Sequence, residues 1–175
     1  AGRYKDILAV KDVGADAIFD FVDVGLPSSI CSKDLYRKKL RQLLNRMAAV
    51  EADVAVVEVG ASPLEPYNGS IAIEALKPNL KFSVLSASDP YAVHGLIDAF
   101  GMKPDVVTGV ASNTLAGIDL VEKLCGVQAI NFLNPKNEKL LRELLGQATG
   151  MNLKKQKHVE SERRRNPQGA ISETE

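Results

Sequence analysis

Glu58 is the residue whose setting most strongly suggests chemistry. It lies in Val54-Ala55-Val56-Val57-Glu58-Val59-Gly60, a run that is otherwise apolar. A carboxylate buried in such a run is costly unless it is paired or holds a metal. Two readings stand side by side: an acid near Mg²⁺ or orienting a water in a phosphate site, and a strand-end acid that reaches solvent. Asp20 and Asp23 bracket Phe21-Val22. Three residues apart on a regular strand, they face opposite sides, so one ligand cannot meet both. Asp23, at the end of the run, is the candidate for the substrate side, and Asp20 for a local cap or pair. Asn113 closes Gly109-Val110-Ala111-Ser112-Asn113. Its amide offers a donor and an acceptor, which suits a purine edge, but the helix N-cap, which Asn fills well, is the favoured role, and one residue can do both. Ser88-Asp89-Pro90 is accounted for by capping alone. Cys31 and His94 have no sequence neighbours that would make a nucleophile–base pair and read as structural.

These residues need elements to hold them. Five apolar runs recur, over residues 17–22, 54–59, 82–85, 105–110 and 127–132. Most are nearly continuous rather than alternating, as strands read when both faces of a parallel sheet are covered. Helical patterns lie between them. Ser32 is a plausible N-cap for a helix with Tyr36, Leu40, Leu43, Leu44 and Met47 inward and Arg37, Lys38, Arg41 and Arg46 outward. Asp89-Pro90 opens another that Gly101 stops, and Asn113 or Thr114 opens a third that ends at Gly126. Asn134-Pro135 opens a fourth with Leu140, Leu141, Leu144 and Leu145 inward, and a short helix follows Ser70. The alternation predicts an α/β domain over residues 1–149: a parallel β-sheet of about five strands with helices on both faces. Ligands of such sheets collect at the carboxyl ends of the strands. Those ends are rich in Gly, Ser, Asn and acids, as a polar rim would be.

Composition sets the outer bounds. The chain has 175 residues, of which 45% are apolar and 25% charged, which is ordinary for a globular protein. Twenty-two basic residues balance 22 acidic ones. No global field therefore draws the chain to nucleic acid or to an anionic membrane, and neither is an expected partner. No apolar run approaches the roughly 20 residues of a membrane span. Two cysteines in no metal or redox spacing suit a reducing, cytoplasmic setting. Residues 150–175 are charged and nearly devoid of apolar side chains, which predicts a solvated tail.

Glu58-Val59-Gly60 after an apolar strand, and Gly109-Val110-Ala111-Ser112-Asn113 after another, resemble two motifs of the P-loop NTPases of the dethiobiotin-synthetase-like and MobB-like branch. The stretch from Gly14 to Gly25 also looks like part of a poorly characterised P-loop-like family that includes D-glutamate N-acetyltransferases. The resemblance spans about residues 3–135. It implies a three-layer sandwich, with Glu58 near Mg²⁺ and Gly60 beside it, Gly109 and Asn113 at the adenine, and Asp23 on the substrate side. It implies ATP and Mg²⁺ as cofactors of the parent enzyme, or acetyl-CoA in the alternative.

Neither G-x-x-x-x-G-K-[ST] nor G-x-G-x-x-G occurs in the sequence. The expectation is a chain lacking the first strand–helix unit of that fold and inactive by itself. An open sheet edge would then invite pairing with a second copy. Three functions follow as expectations. One is part of an enzyme that binds ATP and activates a small carboxylate or amine. The second is an acyl-CoA-dependent N-acetyltransferase on the same scaffold, and the third a non-catalytic interaction module.

Overall fold

The computed structural model describes residues 4–60 and 62–153. The chain divides into two compact units, Ala1–Leu80 and Lys81–Glu175. Most of the charged tail, residues 154–175, lies outside the described residues.

The first unit is helical. It holds α1 (Tyr4–Asp12), a 3₁₀ turn (Phe21–Val24), α2 (Lys33–Ala48) and α3 (Gly69–Leu76). The α2 helix starts where Ser32 predicts, its hydroxyl accepting from Leu35 N–H at 3.4 Å. Its Tyr36, Leu40, Leu43, Leu44 and Met47 stripe is half-buried, and the helix packs against the 3₁₀ turn and α3. The short α3 is entered by Asn68, which takes a left-handed φ of 60°. The Asn68 side chain secures that entry by donating to the carbonyls of Ser29 and Cys31, at 2.8 and 3.1 Å. The α1 helix was not expected; it ends in the turn at Gly14, whose φ is 104° and whose N–H donates to the Lys11 carbonyl at 2.9 Å while Ala15 N–H reaches that of Val10 at 3.4 Å.

Two of the five expected strands do not form. Over residues 17–22 the chain is irregular and then enters the 3₁₀ turn. The cause is local: Phe21 N–H donates to Asp20 Oδ1 at 2.6 Å, Asp20 N–H donates to Asp23 Oδ2 at 2.7 Å, and Gly25 closes the turn at φ 76°. That reciprocal capping box competes successfully with extended backbone. Residues 54–59 also form no strand, and Val56 is 91% exposed. No backbone–backbone hydrogen bond engages residues 51–60 among the described residues. An apolar β-branched run becomes a strand only when another strand supplies its ladder. Only Val59 is drawn in, its Cγ1 3.3 Å from where a Cβ on Gly69 would stand.

The second unit is the α/β part. It runs β1 (Val84–Ser86), α4 (Pro90–Phe100), β2 (Val106–Thr108), α5 (Leu115–Cys125), β3 (Gln128–Ala129) and α6 (Glu138–Thr149). The sheet is parallel, in the order β1-β2-β3, with Val84 beside Val106 and Val106 beside Gln128. Three strands thus stand where about five were expected. Leu85, Val107 and Ala129 share one face, and Val93 of α4 and Val121 and Cys125 of α5 pack on it. Both crossover helices therefore lie against the same face, as two same-handed crossovers moving in one direction require. Val106 and Val107 point to opposite sides and are both fully buried, so β2 is a covered central strand. The predicted boundaries hold here. Asp89 caps α4 and Gly101 ends it; Thr114 caps α5 and Gly126 ends it.

Candidate functional site

The amino end of the sheet is latched. Asp105 Oδ2 accepts from Ser83 N–H at 2.6 Å and from Ser83 Oγ–H at 2.7 Å. The carboxyl end is where three loops and two helix starts converge. β1 runs out into Ala87-Ser88-Asp89, β2 into Gly109–Thr114, and β3 into Ile130–Asn134.

Gly109 determines the shape of this edge. Its φ is 85°, and a Cβ there would stand 2.7 Å from Ser86 Oγ and 2.8 Å from the Ala87 carbonyl oxygen. Only glycine satisfies both the left-handed backbone and the close approach. The turn that follows is stitched to its neighbours on both sides. Ala111 N–H donates to the Ala87 carbonyl at 3.1 Å, and Ile130 N–H to the Val107 carbonyl at 2.9 Å. Ser112 is fully buried, with its hydroxyl 3.1 Å from the Ile130 carbonyl and 3.2 Å from that of Gly109. Asn113 comes next and is exposed. Its N–H donates to the Val110 carbonyl, while its side-chain amide makes no hydrogen bond among the described residues. The N-cap duty that competed for Asn113 belongs to Thr114, whose Oγ1 accepts from Gly117 N–H at 3.0 Å. Val110 and Leu115, on either side, are 67% and 83% exposed.

The two helix starts beside this edge are closed by their own side chains. Asp89 Oδ1 accepts from Tyr91 N–H and Ala92 N–H, each at 2.9 Å, and Ser88 Oγ–H donates to Asp89 Oδ2 at 2.8 Å. The Ala92 N–H, followed by the Ser88 hydroxyl, holds the Asp89 carboxyl below the usual carboxylate range. A permanent negative charge thus sits where an anion would otherwise approach α4. On the β3 side, Phe132, Asn134, Pro135, Asn137, Glu138 and Leu141 line a hollow of about 230 Å³. A larger hollow, about 430 Å³, lies at the C-terminal turn of α6 and involves no strand end. Strand ends position ligands in parallel sheets, so the smaller hollow bears more on the site. Cys125 is buried in the core, and that burial pushes its thiol pKa up against the opposing pull of Lys103.

Of the residues expected to act, Gly109 and Asn113 come together at this edge. Glu58 does not occupy a buried strand end. It is exposed in the irregular segment, so the desolvation that would have made it exceptional is missing. Gly60 is exposed in the same segment. Asp23 is exposed, and its carboxylate serves the capping box; its carbonyl accepts from Arg46 Nη1. The Asp20-x-x-Asp23 spacing with Gly25 behind it was the sequence signal for that turn. Among the described residues no group of three or more His, Cys, Asp or Glu is placed to hold a metal. No helix of the described residues is long and apolar enough to cross a membrane.

No family model, curated protein or solved structure matches the chain. The site must therefore be argued from its own chemistry. It offers an exposed amide with free donor and acceptor capacity, and exposed apolar residues, Val110 and Leu115, three positions before it and two after it in the chain.

Proposed function

We propose that the carboxyl edge of the β1-β2-β3 sheet binds the adenine end of a nucleotide, with Asn113 reading the purine edge. The observation that carries this is the uncommitted Asn113 amide, exposed between Val110 and Leu115 on a turn that Gly109 fixes. An amide can match a donor–acceptor pair on a base, while apolar side chains cover its faces. The P-loop-like relationship belongs to this reading; what supports it is a parallel strand, β2, that runs out into Gly109–Asn113. ATP and acetyl-CoA share the adenosine moiety, so both remain ligands of the same edge. An ATP-using enzyme and an acyl-CoA-dependent transferase are then told apart by which ligand binds beyond its adenosine part.

Asp89 already engages the first N–H groups of α4, and Thr114 that of Gly117 in α5, so these helix starts offer the phosphates less than uncapped ones would. Binding should accordingly be weak, with Kd about 0.1–1 mM. AMP, ATP and acetyl-CoA should fall within about threefold of one another, because the base carries the affinity. Calorimetric titration of the three ligands against the wild type and Asn113→Ala tests this. Asn113→Ala should weaken all three about five- to tenfold, the loss of one or two hydrogen bonds. Equal binding by wild type and variant, or no adenosine-dependent heat at all, overturns the assignment.

A further inference from the structure

The α2 helix carries Lys33, Arg37, Lys38, Lys39, Arg41 and Arg46 against a single acid, Asp34. Six of the ten Lys and Arg in residues 1–80 are thus gathered on 16 residues, although the whole chain is neutral. Solvated helix faces ordinarily mix the two signs. Here Asp34 reaches only Arg37, at 3.5 Å, with both side chains at least half exposed, so it does little to offset the field.

The cations are arranged rather than scattered. Lys33, Arg37 and Arg41 follow one another at i, i+4, i+8, with Asn45 next on the same ridge. The adjacent ridge carries Lys38, Gln42 and Arg46. All seven residues are exposed. From Lys33 to Arg46 the line is about 20 Å long at 1.5 Å per residue. We infer that this face of α2 docks on the phosphodiester backbone of a nucleic acid.

Two observations favour that partner over a lipid surface. A helix lying on a membrane turns its apolar face toward the lipid. The apolar stripe of α2 is instead turned toward the 3₁₀ turn and α3, and Leu35 is the one large apolar side chain outside it. The outward face also interleaves amides with cations. Gln42 and Asn45 add the neutral hydrogen bonds that commonly accompany Arg and Lys at phosphate and sugar.

Fluorescence anisotropy with labelled duplex DNA and with single-stranded RNA tests the assignment on the full chain. Both should bind in the range of about 10⁻⁴ to 10⁻⁶ M at physiological salt, with affinity falling steeply as salt rises. Arg37→Gln/Lys38→Gln/Arg41→Gln should lower affinity by at least tenfold and flatten the log–log salt slope on duplex DNA by about 2.7. Gln42→Glu/Asn45→Asp, which adds repulsion on the same face, should weaken binding without removing a cation. Circular dichroism reports whether either variant keeps its helices, and the second variant decides the matter if the first unfolds. Three results overturn the inference. One is no binding at low salt. Another is binding that ignores both α2 variants but is lost with Arg163→Gln/Arg164→Gln/Arg165→Gln. The third is preferential capture by phosphatidylserine vesicles over nucleic acid.

Discussion

Val106-Val107-Thr108 and Val54-Ala55-Val56-Val57 are nearly the same text: β-branched, apolar and short. The structure treats them oppositely. Val106 and Val107 are fully buried in the middle of a parallel sheet, whereas Val56 stands 91% exposed with no ladder on either side among the described residues. What separates them is company. β2 has helices that begin and end at strong caps on either side of it, and these return the chain so that β1 and β3 flank it. The 54–59 run is preceded by α2 and followed by a turn at residues 63–67, with no neighbouring strand delivered to it. Strand character is therefore a property of the pair, and sequence alone reports only one member.

The comparison can be broken most severely at Gly109. Gly109→Val puts a branched side chain at positive φ and against the Ala87 backbone, and should destabilise the second unit by about 3 kcal/mol. Exchange of the Ile130 amide, which donates to Val107, is the readout; unchanged protection would mean that the edge is not built as described.

Val107→Ala and Val56→Ala set the two runs directly against each other. The first should cost about 2 kcal/mol through lost burial and a residual cavity. The second should stay within about 0.5 kcal/mol. Denaturant unfolding of both variants checks the pair, and equal costs would show that residues 54–59 are packed in solution.

Ser112→Ala is a smaller perturbation, about 1–2 kcal/mol, because a buried carbonyl of Ile130 loses its hydroxyl donor.

The smallest effect concerns pH. Asp89 has a depressed pKa in the folded state, so its stabilisation is present above the unfolded value, near 3.8, and is lost as pH falls through the folded value. Thermal unfolding should thus weaken more in the wild type than in Asp89→Asn on acidification below about pH 4. Identical profiles would show that the cap does not titrate with folding.

These contrasts also explain what the sequence made legible. The starts of α2, α4 and α5 were readable because Ser32, Asp89-Pro90 and Thr114 act within one turn of themselves, and Gly101 and Gly126 mark their ends locally. Asn134-Pro135 signalled a helix too, though the chain first makes a 3₁₀ turn at Pro135–Asn137 before α6 begins. Gly109–Asn113 was readable for the same reason: a glycine-led turn after an apolar strand is a short-range pattern. Which of the two readings of Glu58 its surroundings favour was not legible, because burial depended on partner strands that residues 52–60 do not name; the residue is exposed, as the solvent-reaching alternative has it. Asp23 was placed on an extended backbone, which does not form there. Its spacing to Asp20 fits a capping box equally well, and the capping box won.

The central claim is that the Gly109–Asn113 turn holds an adenine ring. A ¹H–¹⁵N correlation spectrum of the full chain, recorded as AMP is added, tests it most directly. The account predicts progressive shifts confined to Val110–Leu115 and the neighbouring ends of β1 and β3, and their loss in Asn113→Ala. Shifts elsewhere, or none at millimolar ligand, would contradict it.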